Sequence, residues 1–144
     1  MELNEYQEKA MKTCLPESNN FAYMFLNFLG EVGEMTDKVA DEVNDGELKQ
    51  LADVLSHYSV LAKEIRKGKL TTPSMRFLRV LDKVKDMRGD KFMELIKELG
   101  DIMWQFAGMH TTLGIKLDST AWSNLLKLAD RQKRNVIDGE GDNR

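Results

Sequence analysis

Four carboxylates at a repeated spacing carry the most definite chemistry in this sequence. Glu31 and Glu34 stand three residues apart, and so do Glu98 and Asp101. Residues three apart on a helix are neighbours, with Cβ atoms about 5–6 Å apart. Two unit charges at that distance repel by roughly 3 kcal/mol at an effective dielectric of 20, and by less than ~1 kcal/mol in water. If the two pairs faced each other in a partly buried bundle, the four charges would need a counter-ion. Oxygen-only ligation suits a hard divalent cation, Mg²⁺ or Mn²⁺, rather than zinc. The plainer alternative is that each pair faces water, as acids on a helix flank usually do.

The rival chemistry for carboxylates between helices is a di-iron centre, which takes Glu-x-x-His from two of the helices. Neither histidine provides it: three residues before His57 stands Val54, and three before His110 stands Ala107. His110 falls on the apolar side of its helix and reads as a core or interface residue. The opposite charge comes from a late stripe, Asn124, Lys127, Arg131 and Arg134, at intervals of three, four and three. Guanidinium forks and an ammonium beside a Mg²⁺ site would suit a polyphosphate, gripping oxygens that the metal leaves uncovered. The alternative is a solvated basic face near a helix C-terminus, where cations are favoured in any case. There is no Gly-rich strand-to-helix loop, no Walker-type lysine and no Ser/His/Asp set. Cys14 reads as a helix-end residue, and Arg88-Gly89-Asp90 as a helix end followed by a cap.

The elements that must position these groups are helices. Apolar residues recur at three and four rather than at two, which predicts an all-α helical bundle of five to six helices. The first helix is expected to start at an Asn4 cap and to stop before Pro16. From Phe21 an apolar stripe of Phe25, Phe28, Val32, Met35, Val39 and Val43 predicts a buried face, with Asn27, Glu31, Glu34 and Lys38 on its flank. A third helix carries Leu48, Leu51, Leu55, Tyr58, Ala62 and Ile65, and a fourth, begun by Pro73, carries Phe77, Leu81, Val84 and Met87. The helix from Asp90 to about Leu113 puts Leu95, Leu99, Ile102, Met103 and Phe106 on one face, with Glu94, Glu98, Asp101 and Gln105 beside it. Asp118, Ser119 or Thr120 would cap the last helix. Lys49-Gln50-Leu51-Ala52-Asp53-Val54 echoes Lys97-Glu98-Leu99-Gly100-Asp101-Ile102, but Gln50 stands where the second copy has Glu98.

The totals bound the function. At 144 residues the chain reads as a single domain over 1–137 followed by a polar tail, 138–144. A formal net charge of −3 does not favour nucleic acid, and binding through the basic last helix is the weakest of the alternatives. The single cysteine excludes an intramolecular disulfide and fits a reducing, cytoplasmic setting. No apolar run approaches the roughly 20 residues of a membrane span, and the acidic start does not resemble a signal peptide.

Taken together the motifs resemble the MazG-like all-α nucleoside triphosphate pyrophosphohydrolases. Asn4-Glu5-Tyr6-Gln7 with Ala10, and Gly30-Glu31-Val32-Gly33-Glu34, are similar to that family's first two helices. Glu98-x-x-Asp101 lies within Glu-Leu-Gly-Asp-Ile-Met-Trp, and Asn124-Leu125-Leu126-Lys127-Leu128-Ala129-Asp130-Arg131 runs on to Val136-Ile137-Asp138-Gly139. The matching parts cover the first forty residues and roughly the last fifty. The resemblance implies Mg²⁺-dependent hydrolysis of a (deoxy)nucleoside triphosphate to monophosphate and pyrophosphate, with Mn²⁺ as a substitute, in a cytoplasmic homo-oligomer, dimer or tetramer. Carried over residue by residue, Glu31, Glu34, Glu98 and Asp101 would hold the metal and do the catalysis. Asn124, Lys127 and Arg131 would contact the nucleotide, and stripe geometry adds Lys38 and Arg134. Residues 35 to 97 form a longer connection than the family's usual one, which implies a helical insertion within about 41–88. The alternative from a different class is a non-catalytic oligomerisation or adaptor protein with a vestigial nucleotide site, for which Trp104 and Trp122 offer interface anchors.

Overall fold

Helix signals at the ends of the elements set their limits. The computed structural model describes residues 1–137; the tail expected at 138–144 lies outside them. Among the described residues there are six α-helices and no strand, so the protein is all-α. The helices are α1 (Leu3–Met11), α2 (Phe21–Val43), α3 (Gly46–Lys67), α4 (Thr72–Leu81), α5 (Gly89–Thr112) and α6 (Leu117–Lys133). Short 3-10 segments at Pro16–Ser18 and Asp82–Asp86 complete the set. The described residues form two compact units: Leu15–Met87, and Met1–Cys14 together with residues 88–137.

In the first of these, α2 and α3 form a tight helical hairpin. Asn20 caps α2 through its Oδ1 on the Tyr23 amide at 2.8 Å, and Asn44 ends it in the left-handed region at φ 53. Asp45 follows at once as the cap of α3, accepting from the Leu48 amide at 2.9 Å. Close approach is possible because α2 presents Gly30 and Gly33 where α3 presents Ser59 and Ser56. A Cβ on Gly33 would lie 2.5 Å from the Ser56 backbone nitrogen, and one on Gly30 would collide with Ser59 Cβ. Leu26, Leu61 and Ala62 form the buried cluster, with Tyr23, Tyr58, Ile65, Phe77 and Leu81 packed around it. Tyr58 and Phe77 meet edge to face at 6.0 Å, which joins α4 to α3. On the hairpin's surface, Lys49 of α3 bridges Asp37 of α2 at 2.6 Å and Asp41 of α2 at 2.7 Å. The two carboxylates hold its ammonium above the ordinary lysine range.

The buried side of α2 is therefore not the stripe expected from its large residues. Phe21, Phe25, Phe28, Met35, Val39 and Val43 are all exposed, while Ala22, Leu26, Gly30, Gly33 and Ala40 are buried. Hairpin packing selects the smallest residues, because those let the backbones approach; this rotates the contact face by roughly one residue, ~100°. The same correction applies to α5, where Leu99, Ile102, Met103 and Phe106 are exposed and only His110 is buried.

Three helix starts also differ. Asn4 lies inside the first turn of α1, whose N-cap is Glu2; Arg88 and Lys116 precede α5 and α6 with no side-chain cap. The helix begun near Pro73 breaks at Leu81, and Val84 and Met87 belong to the 3-10 turn and its end. Glycines in the left-handed region mark the breaks: Gly68 (φ 66) closes α3, Gly114 (φ 67) follows α5, and Gly89 (φ 62), expected at a helix end, instead opens α5.

Gly33→Ala should destabilise the α2–α3 unit by about 1–3 kcal/mol, since the added carbon meets backbone that cannot turn aside. Gly100→Ala, whose Cβ would meet nothing within 4 Å, should instead stabilise α5 by roughly 0.5–1 kcal/mol. Urea denaturation of both variants followed by circular dichroism checks the contrast; a Gly33→Ala protein as stable as wild type contradicts it.

Candidate functional site

The second unit holds the end of the chain where binding groups accumulate. In α6, Ser119, Thr120, Ser123, Asn124 and Lys127 follow at intervals of one, three, one and three, which lays three hydroxyls, an amide and an ammonium along one helix face. With Ile115 they line an open groove of about 400 Å³, whose polar groups are these side chains. A second, largely apolar cavity of about 620 Å³ lies between α1, α5 and α6. Tyr6, Met103, Trp104, Phe106 and Leu117 shape it, and its volume is that of a small-molecule site. Thr120 and Asn124 line both, so polar groove and apolar cavity meet at those two residues.

Two hydrogen bonds hold the junction. The Tyr6 hydroxyl donates to Asn124 Oδ1 at 2.9 Å, tying α1 to α6. Buried His110 has its Nδ1 2.9 Å from the Phe106 carbonyl and its Nε2 2.8 Å from Thr120 Oγ1. Its ring also meets Phe106 edge-on at 4.4 Å. Nearby, Lys9 lies 5.3 Å from the ring centre of the half-exposed Trp122, a cation–π contact on the outer side of α1 and α6.

The expected site residues divide between the units. Glu98 and Asp101 are exposed on α5, one turn apart; Glu31 and Glu34 are exposed on α2, likewise one turn apart, with Lys38 exposed beyond them. Asn27 reaches Glu31 Oε1 at 3.5 Å, the flank arrangement expected from the spacing. None of the four carboxylates forms an ion pair among the described residues. No three His, Cys, Asp or Glu side chains gather as a metal-holding group there either. Of the cationic stripe, Asn124 and Lys127 line the groove, Arg131 is 5 % exposed, and Arg134 forks Asp130 at 2.7 and 2.8 Å on its own helix. Sequence reading did not pick out Ser119, Thr120 and Ser123 as groove residues. The one available signal was that Thr120 precedes Asn124 by a single helical turn.

Burial pushes the Tyr6 phenol above its ordinary value of 10.0. Because the folded protein then holds that proton more tightly than the unfolded chain, the associated stability is full below pH 10 and is lost as pH rises through the raised value. Urea midpoints should fall between pH 9 and 11, and Tyr6→Phe should remove that part of the fall. An identical pH slope in both proteins would contradict the coupling.

No family model matches the chain, and no solved structure matches it. Over 51 residues it is 45% identical to the Gene 37 protein of Mycobacterium phage L5, an overlap of 35% of this chain. The chain spans 45% of the length of that relative.

Proposed function

We propose that the protein is a Mg²⁺-dependent (deoxy)nucleoside triphosphate pyrophosphohydrolase of the MazG-like kind, acting as a homo-oligomer. The observation that carries this reading is the union of a polar, lysine-ended groove with an apolar, aromatic cavity at Thr120 and Asn124. A nucleotide has that mixed character: a stacking base, a hydroxylated sugar and an anionic chain. The cavity would take the base beside Trp104 and Phe106. Lys127 would meet the phosphates, with Arg131 and Arg134 as the further cations of that unit; Lys38 stays a candidate cation of α2.

The carboxylates fit a hard cation in kind. Each unit offers two exposed carboxylates one turn apart, free of ion pairs among the described residues, and Mg²⁺ characteristically takes one or two carboxylates and completes its shell with water and phosphate oxygens. Glu31 with Glu34 in the one unit, and Glu98 with Asp101 in the other, are the carboxylate pairs that would each hold such an ion. When bound, it supplies a Lewis acid that offsets charge on the phosphate oxygens. The chain's own contribution is to orient the triphosphate along α6 and to accept, at one of these carboxylates, the proton of the attacking water. Lys127 would stabilise the departing pyrophosphate. No covalent intermediate is needed, which agrees with the absence of an activated nucleophile; burial raises the Cys14 thiol and so disfavours its thiolate.

The exposed apolar stripes on α2 and α5 support the homo-oligomer, since a monomer seldom leaves so many large side chains in water. They equally favour the second reading, a non-catalytic adaptor. Calorimetry with Mg²⁺ separates the two: an adaptor with a vestigial site would show no binding.

Glu98→Gln and Asp101→Asn should each lower pyrophosphate release from Mg²⁺-bound nucleoside triphosphates by at least about 100-fold, with helical circular dichroism unchanged. A panel of ribo- and deoxyribonucleoside triphosphates assayed with Mg²⁺ is the direct test. Undiminished turnover in either variant contradicts the assignment.

A further inference from the structure

Hydrogen-bond accounting at the junction of groove and cavity gives Thr120 a definite polarity. A carbonyl oxygen can only accept, so the contact from His110 Nδ1 to the Phe106 carbonyl at 2.9 Å places a proton on Nδ1. In the neutral imidazole the other nitrogen then carries a lone pair. At 2.8 Å from it, Thr120 Oγ1 must donate its only proton inward. What Thr120 turns toward the groove is therefore oxygen lone pairs alone. Asn124, one turn further along α6, has the opposite polarity. Its Oδ1 is occupied by the Tyr6 hydroxyl at 2.9 Å, which leaves its amide N–H groups to donate.

An acceptor and a donor side by side on one helix face match a group that both donates and accepts, and a hydroxyl does both through one atom. The place of the pair selects which hydroxyl. It lies where the apolar cavity, of a size for a base, gives way to the polar groove ending in Lys127, which is the position of a nucleotide's sugar.

We infer that Thr120, with its proton committed to His110, accepts the proton of a sugar hydroxyl of the bound nucleotide, and that His110 is a positioning residue acting through Thr120. This rests on the proposal that the groove holds a nucleotide. Neither residue belongs to the acidic pairs or to the cationic stripe, so the inference adds a discriminating contact for the sugar to a site otherwise described by metal and phosphate. A nucleotide lacking the hydroxyl would leave the Thr120 oxygen facing an apolar atom, and a site built to pair a ligand hydroxyl rejects the analogue without it.

The test compares binding of the four deoxynucleoside triphosphates with that of their 2′,3′-dideoxy counterparts, read by Trp104 and Trp122 fluorescence with Ca²⁺ in place of Mg²⁺ to suppress turnover. For the best-bound base, wild type should prefer the 3′-hydroxyl about 5–10-fold, the worth of one hydrogen bond. Thr120→Val should reduce that preference to less than about twofold, Thr120→Ser should keep it, and His110→Leu should weaken it with Thr120 still present. A preference unchanged in Thr120→Val, or no preference in wild type, overturns the inference while leaving nucleotide binding intact. Absence of binding by any nucleoside triphosphate overturns the underlying proposal, and this inference with it. Thr120→Ser keeps the comparison decisive if the valine variant proves unstable.

Discussion

The distance between two helix backbones governs the larger unit. Gly30 and Gly33 permit α2 to lie against Ser56 and Ser59 of α3 at a separation that no residue with a Cβ would allow. Everything else in that unit follows from it. Leu26, Leu61 and Ala62 close the core above the contact, Lys49 clasps Asp37 and Asp41 beside it, and α4 seats Phe77 on Tyr58. The exposed positions of Glu31 and Glu34 also follow, because each is the residue directly after a glycine that must face inward. A helix turns about 100° per residue, so turning the glycines toward α3 turns both carboxylates away from it.

That constraint explains what could and could not be read from the amino-acid order. Periodicity of three and four was sufficient for an all-α chain, and the glycines at 68, 89 and 114 marked real breaks. The inward face of α2 is not legible from hydropathy, because its large apolar residues are not its core. Phe21, Phe25 and Phe28 outweigh Ala22 and Gly30 on any hydropathy scale, yet packing distance, which no such scale contains, decides the face. Caps were misplaced for a related reason: Asn4 and Asp118 are good capping types, but α1 and α6 begin before them.

The candidate site was legible in its charges and not in its hydroxyls. Acidic pairs and a basic stripe stand out in a sequence because like charges at helical spacing are uncommon. Serine and threonine are ordinary at a helix start, so Ser119 and Thr120 read as capping groups and Ser123 carries no signal at all. What distinguishes Thr120 is the lone pair of His110, ten residues earlier, and that relation exists only once the turn after Thr112 brings the end of α5 to the start of α6. Arg134 shows the converse: it fits the stripe by spacing, but its guanidinium is shared with Asp130 on the same helix.

The bond between Tyr6 and Asn124 joins residues 118 positions apart, across a second unit that is continuous in sequence. During synthesis the Leu15–Met87 segment has all its own helices before α6 has been made, whereas α1 must wait for α6 to find its partner. Contacts of such high separation form late, since the intervening chain must be ordered or spanned first. With no fully buried residue of its own, α1 settles late, and the junction at Asn124 is completed only when it meets α6.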